Sequence, residues 1–132
     1  MDTERHRWQH RLLIYWLPLA LWMAWIFFLS SRPQLPSIPQ DWLDTLLKKL
    51  GHTSEYAILA VLWWRALGST RLPGHRMSMA WGLSVLYALS DEYHQTFVPG
   101  RNGTFVDLLI DASGALVGLL LFWCWGQRAK RC

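Results

Sequence analysis

The chain has 132 residues, of which 52% are hydrophobic and 17% charged, and its formal net charge is +4. That is one domain's worth of sequence, too apolar for a disordered protein and rich for a soluble one, so the membrane class is favoured. The positive charge is scattered Arg and Lys rather than a basic stripe, which argues against nucleic acid as a partner.

The mean hydropathy of +0.12 is modest for a membrane protein. Ten Trp account for this, because hydropathy scales score the indole as mildly polar. The ring prefers the headgroup interface, so the Trp count itself points to a bilayer. Cys124 lies inside an apolar run and Cys132 at the end of the chain, and no disulfide framework follows from that pair. Cys124 reads as a small hydrophobe.

Met1 to Arg11 is a polar head, followed by residues 12–29 without a charge. At 1.5 Å per residue this first segment covers about 27 Å, enough to span a bilayer. Pro18 is expected to kink it. A cleaved signal peptide is disfavoured, because the run is long and lacks a small-residue cleavage site. Pro33, Pro36 and Pro39 predict an extended connector. Residues 41–50 then predict a short amphipathic surface helix, with Leu43, Leu46, Leu47 and Leu50 on one face and Trp42 at its start. Gly51 is expected to end or kink it.

A second helix is predicted over residues 52–67, a third over 77–97 and a fourth over 104–125. Gly68, Pro73 and Gly74 mark the middle loop, and Pro99-Gly100 with Asn102-Gly103 mark the last turn. The purely apolar stretches of segments two to four are only about 14 residues long, so a soluble helical bundle is the structural rival. Charge distribution favours the membrane. Arg5, Arg7, Arg11, Arg65, Arg71, Arg76, Arg128, Lys130 and Arg131 fall on one side, and only Arg32, Lys48, Lys49 and Arg101 on the other. The positive-inside rule then gives an all-α, four-helix integral membrane bundle with both termini cytoplasmic, in a single domain spanning the chain.

This topology gathers the start of helix two, the end of helix three and the start of helix four at the outer boundary. Those ends carry Lys49, His52 and Glu55, then Asp91, Glu92, His94 and Gln95, then Arg101, Asp107 and Asp111. Intramembrane polar groups are costly without a partner, so the set reads as an outward-facing cavity. Lys49, His52 and Tyr56 share a face if the helix persists through Gly51. Asp91, His94 and Gln95 share another, and Asp107, Asp111, Gly114 and Gly118 form one narrow stripe. Gly114-x-x-x-Gly118 reads as a close-packing surface within the chain rather than a dimer interface. The structural alternative is an internal network, with Arg101 paired to Asp107 or Asp91, Lys49 to Glu55 or Glu92, and His94 donating to a backbone carbonyl.

These motifs, Lys49-x-x-His52-x-x-x-Tyr56, Asp91-Glu92-x-His94-Gln95-x-Phe97-x-Pro99-Gly100-Arg101 and Asp107-x-x-x-Asp111-x-x-Gly114-x-x-x-Gly118, resemble the VanZ-like family of small bacterial membrane proteins. The resemblance runs from about Lys48 to Gly118. It implies a four-helix membrane protein of the bacterial cell (inner) membrane and a cell-envelope role, since the founding member is associated with low-level resistance to the glycopeptide teicoplanin. It brings no settled reaction with it. Asp111 departs from the pattern, because the resemblance implies that asparagine is common there.

Two functions follow from different classes. In the first, the cavity binds an anionic membrane lipid or lipid-linked envelope precursor, with Arg101, Lys49 and His52 on phosphate oxygens and Tyr56, Gln95, Asp107 and Asp111 completing the site. In the second, the protein is an intramembrane hydrolase or transferase in which His94, Glu92 and Asp91 supply acid, base and orienting groups. No cofactor is expected. A divalent cation on His94, Asp91, Asp107 and Glu92 is the open alternative, although no H-E-x-x-H or similar signature is present. A transporter would require several copies to make a pathway.

Overall fold

A computed structural model describes residues 2–33, 42–70 and 74–130, and the described residues are helical apart from short turns. Pro36, Pro39, Asp41, Arg71, Pro73, Arg131 and Cys132 lie outside them.

The first rod is continuous from α1 (Asp2–Arg11) through a π-helical turn (Leu12–Trp16) into α2 (Leu17–Ser30). Pro18 is the reason for the wide turn. It has no N–H to give the Ile14 carbonyl, and its ring crowds that oxygen. The backbone widens just before it, and the Leu17 N–H reaches the Leu12 carbonyl. The predicted kink is absorbed as a π-bulge.

The second rod corrects the sequence reading. The surface helix and the second helix are one element, α3 (Trp42–Gly68), with no break at Gly51. A glycine inside a helix costs about 1 kcal/mol relative to alanine, too little to stop a rod favoured on both sides. Thr53 Oγ1 donates to the Lys49 carbonyl at 2.8 Å and Ser54 Oγ to the Gly51 carbonyl at 2.7 Å, so side chains also bridge this turn. The apolar stripe of Leu43, Leu46, Leu47 and Leu50 is present and exposed, on the first turns of the long helix.

α4 (Arg76–Gln95) and α5 (Phe105–Ala129) complete the four rods. The third helix stops two residues earlier than predicted, in a run of tight turns closed by Thr96, Phe97 and Val98 N–H groups. Gly100 adopts φ 77°, a left-handed conformation that glycine takes without strain. The fourth helix runs four residues further than predicted, because Gln127, Arg128 and Ala129 are good helix formers and Arg128 suits the negative end of the helix dipole.

The core is built from small residues and a few large ones. Ala60, Ala66, Ala80, Ser84, Ala88, Gly114 and Ala115 let the rods approach closely around Tyr56, Leu59, Ile26 and Leu119. α5 packs chiefly on α3. A Cβ on Gly114 would come within 2.6 Å of the Thr53 carbonyl oxygen, and one on Gly118 within 2.7 Å of Ala57 Cβ. The glycine stripe is therefore filled by α3 of the same chain.

Two indoles and a phenol tie the rods through backbone carbonyls. Trp22 Nε1 donates to the Glu55 carbonyl at 3.0 Å, Trp81 Nε1 to the Ala112 carbonyl at 3.0 Å, and Tyr87 Oη to the Met23 carbonyl at 2.6 Å. At the opposite end, Arg76 lies over the Trp64 ring at 3.6 Å and donates to the Trp64 carbonyl, seated against Gly68.

His6–Ser30 and Phe105–Ala129 are long and apolar enough to cross a membrane. Only 11% and 22% of their most apolar stretches are buried, where the core helix of a soluble bundle would be mostly covered. Leu13, Leu21, Trp25, Phe28, Leu116, Val117, Leu120 and Leu121 are all exposed along them.

Candidate functional site

Three helix ends meet around a cavity of about 240 Å³. The early turns of α3 contribute Lys48, Lys49 and His52, and the last turn of α4 contributes Glu92 and Gln95. The turn after α4 adds Arg101 and Asn102, and the start of α5 adds Asp107, Ile110 and Asp111. The long α3 explains why Lys49 and His52 share the wall, since one helical register carries both past Gly51.

The turn from α4 to α5 is held by its own polar groups. Glu92, at the buried end of α4, accepts the Thr104 N–H at 3.0 Å. Gly103 sits so close to the Glu92 carbonyl that a Cβ would overlap it. Thr104 then caps α5: its Oγ1 accepts the Asp107 N–H at 3.2 Å and donates to Asp107 Oδ2 at 2.5 Å. Glu92 and Asp107 are thus fixed on opposite sides of one short turn while both still face the cavity.

Below the cavity lies a buried acid. Asp91 is 3% exposed, and its Oδ2 accepts from Tyr56 Oη at 3.3 Å and from Gln95 Nε2 at 3.0 Å, while Oδ1 has no partner. Asp111 is 1% exposed, and neither of its oxygens has a partner. Arg101 donates from Nη2 to the Leu29 carbonyl at 3.3 Å, and its buried Nε has no partner. Asp91, Glu92 and Asp107 are therefore bonded to Tyr56, Gln95 and Thr104, and Arg101 to the end of α2, where the network reading expected Arg101 on Asp107 or Asp91. His52 lies within electrostatic reach of Arg101, Asp91 and Asp107.

Lys49, His52, Glu92, Gln95, Arg101, Asp107 and Asp111 are brought together as the sequence predicted, with Tyr56 and Asp91 directly behind them. His94 is not. Its ring stacks on Phe27 with centroids 4.6 Å apart, and its Nε2 is 3.0 Å from Ser31 Oγ. Ser31 Oγ donates its hydrogen to the Phe27 carbonyl at 2.7 Å, which leaves the hydroxyl as acceptor and His94 Nε2 as donor. The i, i+3, i+4 grouping of Asp91, His94 and Gln95 spans enough of the helix circumference for the middle residue to turn toward α2. Glu55 does not line the cavity.

The involvement of Leu29, Phe27 and Ser31 carried no sequence signal, because two of the three act through backbone carbonyls. Thr104 did carry one: a threonine three residues before Asp107 at a helix start is a capping pattern. Among the described residues, no three of His, Cys, Asp and Glu are grouped so as to hold a metal ion. Chemically, the cavity places the cationic groups of Lys49 and Arg101 and the His52 imidazole beside the carboxylates of Glu92, Asp107 and Asp111.

No curated protein and no solved structure matches the chain significantly. The family model VanZ/LLP1 matches over residues 13–126, which takes in part of the first rod, all of α3 and α4, nearly all of α5 and every residue lining the cavity. The chain belongs to the VanZ/LLP1 family.

Proposed function

We propose that this is a multi-pass protein of the bacterial cell membrane, with cytoplasmic termini, whose outward-facing cavity binds the phosphate-bearing headgroup of an anionic, lipid-linked envelope molecule. The observation that carries the reading is Arg101. Its guanidinium lines a cavity at the end of the bundle, is held on one side by the Leu29 carbonyl, and keeps a buried Nε–H without a partner. A planar donor held in this way suits a phosphate oxygen, and Lys49 and His52 on the same cavity add donors from α3.

The orientation rests on charge. Arg7, Arg11, Arg65, Arg76, Arg128 and Lys130 lie toward the ends of the rods remote from the cavity, and an excess of Lys and Arg marks the cytoplasmic side. The cavity then opens at the outer leaflet, within reach of lipid phosphates. Occupancy of envelope lipid headgroups would account for a link to glycopeptide susceptibility, as family membership suggests.

The hydrolase or transferase reading has less support. His94, its proposed acid or base, faces Phe27 and Ser31, and Glu92 already accepts the Thr104 N–H. The discriminating experiment is native mass spectrometry of the purified chain in mild detergent. A co-purifying phospholipid or polyprenyl phosphate of constant mass is expected, reduced in Arg101→Gln. Conversion of the lipid on incubation, or equal lipid retention by Arg101→Gln, would sink the binding model.

A further inference from the structure

Resting on the phosphate contact of that reading, the cavity floor points to a headgroup that carries a cation beside its phosphate. Asp111 lines the cavity, is almost completely buried, and has no partner for either carboxylate oxygen. Ionised, it leaves a charge unsatisfied, and protonated, it leaves a donor without an acceptor, so neither form is at home in the chain alone. Glu92, Asp91 and Asp107 lie within electrostatic reach of it, so the surroundings of Asp111 favour a positive group while Lys49 and Arg101 line the same cavity. A metal ion fits poorly, because no three ligating side chains are grouped among the described residues.

We infer that the ligand is a phosphate ester that also carries a primary amine, its ammonium seated on Asp111 and its phosphate on the Arg101 and Lys49 wall. An ammonium has three donors and a charge, so it can satisfy both Asp111 oxygens and still face Asp107 or Glu92. A neutral hydroxyl has one donor and leaves the acidic floor uncompensated. The ligand meets the chain at a helix end beside lipid-facing surface, so an aminophospholipid headgroup is the assigned source.

The test uses the full chain in detergent, titrated with dioctanoyl phosphatidylethanolamine and dioctanoyl phosphatidylglycerol. The amine lipid should bind roughly tenfold or more tightly, the size of one charge-assisted hydrogen bond. Asp111→Asn should erase the difference between the two lipids. Should that variant not fold, the wild-type chain titrated with N-acetylated phosphatidylethanolamine gives the same answer, since the modified headgroup has lost its charge and should lose its advantage. Soluble O-phosphoethanolamine at equal concentration should leave the lipid bound, and full displacement would overturn the lipid source. Equal affinity for both lipids, or a preference that survives Asp111→Asn, would overturn the ammonium while leaving the phosphate reading standing. Failure of both lipids to bind would remove the two together.

Discussion

The Glu92 carboxylate accepts the backbone N–H of Thr104 at 3.0 Å, twelve residues away, and so fastens the end of α4 to the start of α5. Thr104 is also the residue that caps α5 and holds Asp107, so one carboxylate sets the geometry of the acidic wall. Glu92→Ala should leave a half-buried N–H unsatisfied and lower stability by about 1–3 kcal/mol. Glu92→Gln, which keeps the acceptor, should lose less. Thermal unfolding in detergent measures both, and equal losses would mean that the bond is not what matters there.

The glycines of α3 and α5 should respond in opposite ways. Gly114→Ala must push a methyl group into the Thr53 backbone, so the rods separate and stability falls by about 1–3 kcal/mol. Gly51→Ala meets nothing within 4 Å in a continuous helix and should stabilise by up to about 1 kcal/mol. A stabilised Gly114→Ala, or a Gly51→Ala that disrupts the fold, would contradict the packing described.

His94 and Arg101 both tie down the end of α2, but only Arg101 lines the cavity. His94→Ala should cost stability, through loss of the Phe27 stack and the Ser31 bond, while lipid retention per folded molecule stays within about twofold, a margin well under one hydrogen bond. Arg101→Gln should lose both. Native mass spectrometry alongside unfolding curves separates the two effects, and selective loss of lipid in His94→Ala would return that residue to the site.

The outward orientation can be tested with cysteines at exposed positions. After Cys124 and Cys132 are changed to Ser, a membrane-impermeant maleimide applied to intact cells should label Asn102→Cys and not His75→Cys. The reverse pattern would turn the cavity toward the cytoplasm.

Much of this protein follows from its sequence alone. The uncharged run before the connector and the 3.6-residue spacing of Lys49, His52, Tyr56, Asp107, Asp111, Gly114 and Gly118 identify helices and the polar set, because these are periodic properties of one chain. Tertiary structure decided the rest. Whether Gly51 breaks a helix depends on the packing of what lies either side of it, and α3 runs through. His94 shares sequence spacing with Asp91 and Gln95, yet only contact with Phe27 and Ser31 on α2 reveals which way its ring turns. Likewise no sequence pattern shows that Arg101 reaches the Leu29 carbonyl or that Asp111 is left without a partner. Such facts arise where separate rods meet, and which groups meet there is fixed by how closely the Gly114 and Gly118 face lets α5 approach α3.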